Sequence, residues 1–216
     1  METIYYLKGM SADIDELDYL YEKFKAYDIE LIPLAFDYTK FFGKNKEQVI
    51  LNLKKRLAAC TNDEKVTVIC HSMGCNFISS LAAHSIQDFN IILISPELGK
   101  VSEDEKNGII PSEKEIEHPC KPMKFSIDKL KSISVFLKSK KWFNEDKDIL
   151  KYHNVSILYS KGDPFVSRYA LYDLSHTIDA HVHEIDCNNH NPLLENNDAI
   201  DIIKEDIKRN TNKPTY

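Results

Sequence analysis

Val66-Thr67-Val68-Ile69-Cys70-His71-Ser72-Met73-Gly74-Cys75-Asn76-Phe77-Ile78-Ser79-Ser80-Leu81 is the stretch on which the reading of this chain turns. Its first five residues are β-branched or apolar and read as a buried strand, whereas Phe77, Ile78 and Leu81 recur at helical spacing. Between the two there is room only for a sharp turn at Ser72. Such a turn holds a serine in strained backbone geometry with its hydroxyl above the strand ends, and it tolerates only small flanking residues, here Cys70 and Gly74. Ser-x-Gly by itself is commonplace in loops; the strand before it and the helix after it give it weight.

A serine hydroxyl is a poor nucleophile unless a base takes its proton, and the base needs a third group to fix its tautomer and stabilise its cation. In open parallel sheets such groups collect beyond the carboxyl ends of the strands. Asp163 follows the apolar segment Val155 to Ser160, in Gly162-Asp163-Pro164-Phe165-Val166. His190 follows the segment ending near Ile185, in Asn189-His190-Asn191-Pro192. The chain order is therefore Ser72, Asp163, His190. The plainer readings are a turn serine, a solvated loop histidine and a turn aspartate before Pro164. Glu97, just after the segment ending at Ser95, is a rival for the acid.

Outward from these residues the chain alternates. Thr3 to Leu7, Glu30 to Phe36, Val66 to Cys70, Ile91 to Ser95, Val155 to Ser160 and His181 to Ile185 are candidate strands, with helical patterns between them. Alternation of this kind predicts a parallel sheet covered by helices on both faces, because parallel neighbours need a crossover and the crossover is usually a helix. Pro192 to Arg209 carries Leu193, Ile200, Ile203 and Ile207 at helical spacing and is expected as one closing helix. Pro96 to Leu150 shows no strand and reads as an insertion with helices of its own. Its second half, Ile127 to Lys141, is amphipathic and is followed by Trp142 and Phe143.

The bulk properties fit one α/β domain over residues 1–216. The net charge of −6 with no long basic stretch argues against nucleic acid as a partner. No apolar run reaches membrane-spanning length, and the opening residues do not read as a signal peptide. Five cysteines, an odd number without a CxxC pair, argue against a disulfide framework or a zinc knuckle, so the cytoplasm is the expected compartment. His181 and His183 share a strand face near Asp186, but without a further convergent pair an edge-strand surface explains them. Cys75 reads as a small buried filler.

Lys8-Gly9-Met10, Cys70-His71-Ser72-Met73-Gly74, Gly162-Asp163-Pro164-Phe165-Val166 and Asn189-His190-Asn191-Pro192-Leu193-Leu194-Glu195 together resemble the α/β-hydrolase superfamily of lipases, esterases and thioesterases. The family's G-x-S-x-G appears here with Cys70 in the first position, and Lys8 stands where many relatives have His. The resemblance covers the chain apart from the 96–150 insertion and implies a short form lacking the first two strands, in the order 2-1-3-4-5-6. It further implies an oxyanion hole from the backbone N–H groups of Met10 and Met73. The apolar stripe of the insertion with Trp142 and Phe143 fits equally a packing of its helices on the domain and a lid lining an acyl pocket, a pocket to which Phe36, Phe136, Trp142 and Phe165 would contribute. The activity implied is hydrolysis of a small-molecule ester or thioester through an acyl-enzyme, with no metal or organic cofactor. Acyl transfer on the same residues, or ligand binding without turnover, are the alternatives.

Overall fold

Six short strands line up side by side in the order β2-β1-β3-β4-β5-β6, every neighbouring pair parallel. They are β1 (Glu2–Leu7), β2 (Ile29–Ala35), β3 (Lys65–His71), β4 (Asp88–Ile94), β5 (Asn154–Ser160) and β6 (His181–Ile185). The helices are α1 (Ile14–Lys25), α2 (Lys46–Cys60), α3 (Cys75–Ala83), α4 (Ile127–Asp146), α5 (Arg168–Ile178), α6 (Pro192–Glu195) and α7 (Asp198–Thr211). The computed structural model describes residues 2–10, 14–35, 37–97, 116–117 and 126–211. The strand order is the one the resemblance implied.

Strand alternation builds two cores, one on each face of the sheet. In β1, Tyr5 and Leu7 join one cluster with Phe77, Phe143 and Leu171, while Ile4 and Tyr6 join the other with Phe24, Ile200 and Ile203. β3, β4 and β5 divide their residues in the same way, as buried parallel strands must. Local signals set the helix starts. Asn45 and Gln48 form a reciprocal capping box on α2; Ser126 and Ser167 accept from Lys129 N and Ala170 N at the starts of α4 and α5. Pro192 occupies the first turn of α6, capped by Asn191.

Three expectations need correction. The closing helix is two helices, because Asn196 Oδ1 accepts from Asp198 N at 2.8 Å and restarts the chain as a new turn between them. β4 begins at Asp88 and ends at Ile94, so Ser95 lies beyond it, in left-handed backbone with φ 44°. The amphipathic helix of the insertion does not stop at Lys141 but continues to Asp146. Phe36 and most of the insertion's first half fall outside the described residues.

α4 packs on α3, the helix that follows Ser72. Asn76 Nδ2 donates to Ser139 Oγ at 3.2 Å, Ser79 Oγ donates to Phe143 O at 3.4 Å, and Trp142 lies 6.3 Å from Phe77 between ring centres. Lys46 Nζ of α2 bonds Asp146 at 2.6 Å, and Asp146 also accepts from Ser80. No helix among the described residues is long and apolar enough to cross a membrane.

Candidate active site

Ser72 sits directly after β3 with φ 49°, a left-handed conformation that a side-chain-bearing residue adopts only under constraint. The constraint is visible at Gly74. A Cβ there would lie 2.1 Å from Leu7 O and 2.9 Å from Lys8 O, so only glycine lets the exit of β1 run against the turn. Ser72 is 8% exposed, Met73 is fully buried, and α3 starts at Cys75. Cys75 Sγ donates to Cys70 O at 2.9 Å, and burial pushes its thiol pKa well up, which makes it packing rather than a nucleophile.

The loops after β5 and β6 bring Asp163 and His190 together. Asp163 N–H donates to Ser160 O at 3.2 Å, and its Oδ1 accepts Phe165 N–H at 2.8 Å, so the carboxylate is aimed by its own turn. Its Oδ2 lies 2.6 Å from His190 Nδ1. The Asp163 side chain is fully buried while that of His190 keeps 25% exposure. A carboxylate only accepts, so Nδ1 carries the proton and Nε2 is left as the basic nitrogen. The His190 loop is itself tied down: Ser160 Oγ donates to Asn189 O, and Asn191 N–H donates to Asn189 Oδ1 at 2.9 Å.

On the serine side, the His190 ring lies 5.1 Å from the ring of His71, the residue before Ser72. Burial, then the neighbouring His190 and Lys8, push the His71 pKa down to about 3, so it is neutral beside the site. Among the described residues Ser72 Oγ makes no hydrogen bond. Such bonds are commonly long in a free enzyme and tighten when substrate is bound.

Glu97 stands on the flank. Its carboxylate is 3.7 Å from Lys140 Nζ of α4, and burial raises its pKa against the pull of Lys140 and His190. Asp163, not Glu97, meets His190. Lys140 is 9% exposed and lies 4.8 Å over the Phe136 ring, and both Phe136 and Trp142 are buried in the core that contains Phe77. Phe165 is 64% exposed and packs edge-on against His190 at 5.4 Å. Lys140 was hidden to sequence reasoning within the run Lys138-Ser139-Lys140-Lys141, which has the composition of a solvated face; its spacing from Phe136 is the one available signal. The His181, His183 and Asp186 grouping resolves differently: His183 Nε2 lies 3.2 Å from Asp206 of α7. Among the described residues no three His, Cys, Asp or Glu side chains are placed to hold a metal.

A six-stranded parallel sheet in this order, with a strained serine turn after β3 and an Asp–His contact beyond β5 and β6, defines the α/β-hydrolase fold, and solved structures bear out the fold. MGS-MChE2, an α/β hydrolase from a lagoon-sediment metagenome of Mar Chica, Morocco, superposes with a TM-score of 0.69 at 13% identity, covering 97% of this chain and 92% of that one. A structure reported in a study of carboxylesterases of the thaumarchaeon Nitrososphaera gargenis gives 0.64 at 15% identity, with 97% and 91% covered. The monoacylglycerol lipase of Paleococcus ferrophilus gives 0.62 at 14% identity, with 95% and 91% covered. No protein-family model matches the chain, and no curated protein matches its sequence.

Proposed function

We propose that this chain is a serine hydrolase that cleaves a carboxylic ester or thioester through an acyl-enzyme, with Ser72 as nucleophile, His190 as base and Asp163 as the orienting acid. The observation that carries this reading is the 2.6 Å contact between His190 Nδ1 and a fully buried Asp163 carboxylate, on the fold that holds Ser72 left-handed. His190 Nε2 takes the hydroxyl proton as Ser72 Oγ bonds to the substrate carbonyl carbon. The charge that moves to the carbonyl oxygen is held by the N–H groups of Met10 and Met73. The imidazolium then protonates the departing alcohol or thiol, and water attacks the acyl-enzyme with the same histidine as base. An ester is consistent with the neighbours named for carboxylesterases and a monoacylglycerol lipase, which stand beside a deformylase and bromoperoxidases of the same fold. In this reading the domain spans residues 1–216, with the 96–150 insertion bringing Lys140 to Glu97 on the flank of the site.

The test is labelling with a fluorophosphonate, alongside turnover of chromogenic esters of graded chain length. Wild type is expected to label and Ser72→Ala to remain unlabelled. Asp163→Asn is expected to lower kcat by about 10³-fold to 10⁴-fold, since it leaves the histidine in the wrong tautomer. Equal labelling of wild type and Ser72→Ala removes Ser72 from the mechanism.

A further inference from the structure

The peptide joining Gly9 to Met10 is held from behind. Lys8 is 6% exposed although it carries an ammonium group, and its Nζ donates to Gly9 O at 3.4 Å. In a trans peptide the carbonyl and the N–H lie in one plane and point in opposite directions. A bond that fixes Gly9 O therefore fixes the direction in which Met10 N–H is presented. A cation on that oxygen also polarises the peptide, making the N–H a stronger donor.

One peptide earlier, Lys8 O accepts from the Tyr38 hydroxyl at 2.7 Å. Tyr38 is 3% exposed, and its ring stacks on Phe77 of α3 at 5.2 Å with 14° between planes; Lys8 Nζ lies 5.6 Å over the same ring. The short 3-10 turn Tyr38–Phe41 that carries it is capped by Asp37, whose Oδ1 accepts Thr39 N–H at 2.9 Å. The exit of β1 is thus clamped between a side chain from the exit of β2 and the glycine of the serine turn.

We propose that Lys8 and Tyr38 are positioning residues that orient the Gly9–Met10 peptide as a donor to the oxyanion. The proposal rests on the acyl-hydrolase reading above for the use of that donor, and on the Lys8 and Tyr38 hydrogen bonds for its orientation. It gives a purpose to a lysine in the position where many α/β hydrolases have histidine.

Crystal structures and steady-state kinetics on a chromogenic ester are compared for wild type, Lys8→Met and Tyr38→Phe. Tyr38→Phe keeps the ring stack and serves as the second variant should Lys8→Met fail to fold. In Lys8→Met the Gly9–Met10 peptide is expected to turn and kcat to fall about tenfold or more, with KM within about twofold, because the donor acts on charge that exists only in the transition state. Tyr38→Phe is expected to lower kcat about fivefold. An unmoved peptide in both variants overturns the proposal, as does a turned peptide with unchanged kcat. A wild-type protein that turns over no ester, with the peptide nevertheless turned in Lys8→Met, refutes the hydrolase reading and leaves the orienting contact standing.

Discussion

A serine at φ 49° is costly on its own, by about 1–3 kcal/mol, and persists only where its surroundings leave no alternative. Gly74 is the residue that removes the alternative, since Leu7 O fills the space a side chain would need. Gly74→Ala is therefore expected to lose about 3 kcal/mol of stability, a fall of roughly 10 °C in Tm for a chain of this size, and to lose fluorophosphonate labelling with it. Calorimetry and labelling on one preparation check both; a Gly74→Ala variant with wild-type Tm refutes the packing argument. The places of Ser72, Asp163 and His190 just beyond strands were legible in the sequence, because each follows an apolar segment and is punctuated by Gly or Pro. The contacts of Lys140 and Tyr38 were not legible, because a lysine in a lysine-rich run and a tyrosine in an aromatic run show their partners only once the chain is folded.

At the scale of the element, the joint between α4 and α3 decides what the insertion does. The Ile127 to Lys141 pattern announced the helix, but its far end was unreadable: Asn144, Glu145 and Asp146 look like a polar exit, and only tertiary contact makes Asp146 the partner of Lys46 and Ser80. Burial works against the Asp146 carboxylate, yet the hydrogen bonds of Lys46 and Ser80 outweigh it and hold its pKa below the usual value. A lowered carboxylate pKa adds stability that is complete above the unfolded value of about 3.9 and is lost as pH falls through the folded value. Asp146→Ala is expected to cost about 2 kcal/mol at pH 7 and much less below pH 3. Urea unfolding at the two pH values measures this, and an equal cost at both would count against the ion pair as the source.

For the molecule as a whole, the alternation of apolar runs and helical patterns made a parallel sheet covered on both faces legible, while the strand order came with the resemblance to the α/β hydrolases. The way the carboxyl-terminal helix is fastened was not. α7 crosses behind the sheet, and its Asp206, 1% exposed, lies 3.2 Å from His183 of the edge strand β6 and 3.2 Å from Arg209. In the sequence the strand histidines read as surface and Asp206 as one of several acidic residues on a helix; nothing local links them. Burial opposes the Asp206 charge, but His183, Ser156 and Arg209 together hold its pKa below the ordinary carboxylate value. By the same sign argument this fastening is fully present above about pH 4 and fails as pH drops through the lowered folded value. Asp206→Ala is expected to lose about 2–3 kcal/mol at pH 7, below the cost of stripping a fully buried pair, because His183 and Arg209 keep access to water at 25% and 47% side-chain exposure. Since α7 sets Ala199, Ile200, Ile203 and Ile207 into the core that it shares with α1, the loss is expected to belong to global unfolding. Hydrogen exchange of the β5 and β6 amides is expected to speed up together with that of α7 in Asp206→Ala, whereas protection lost in α7 alone would reduce Asp206 to a local fastening.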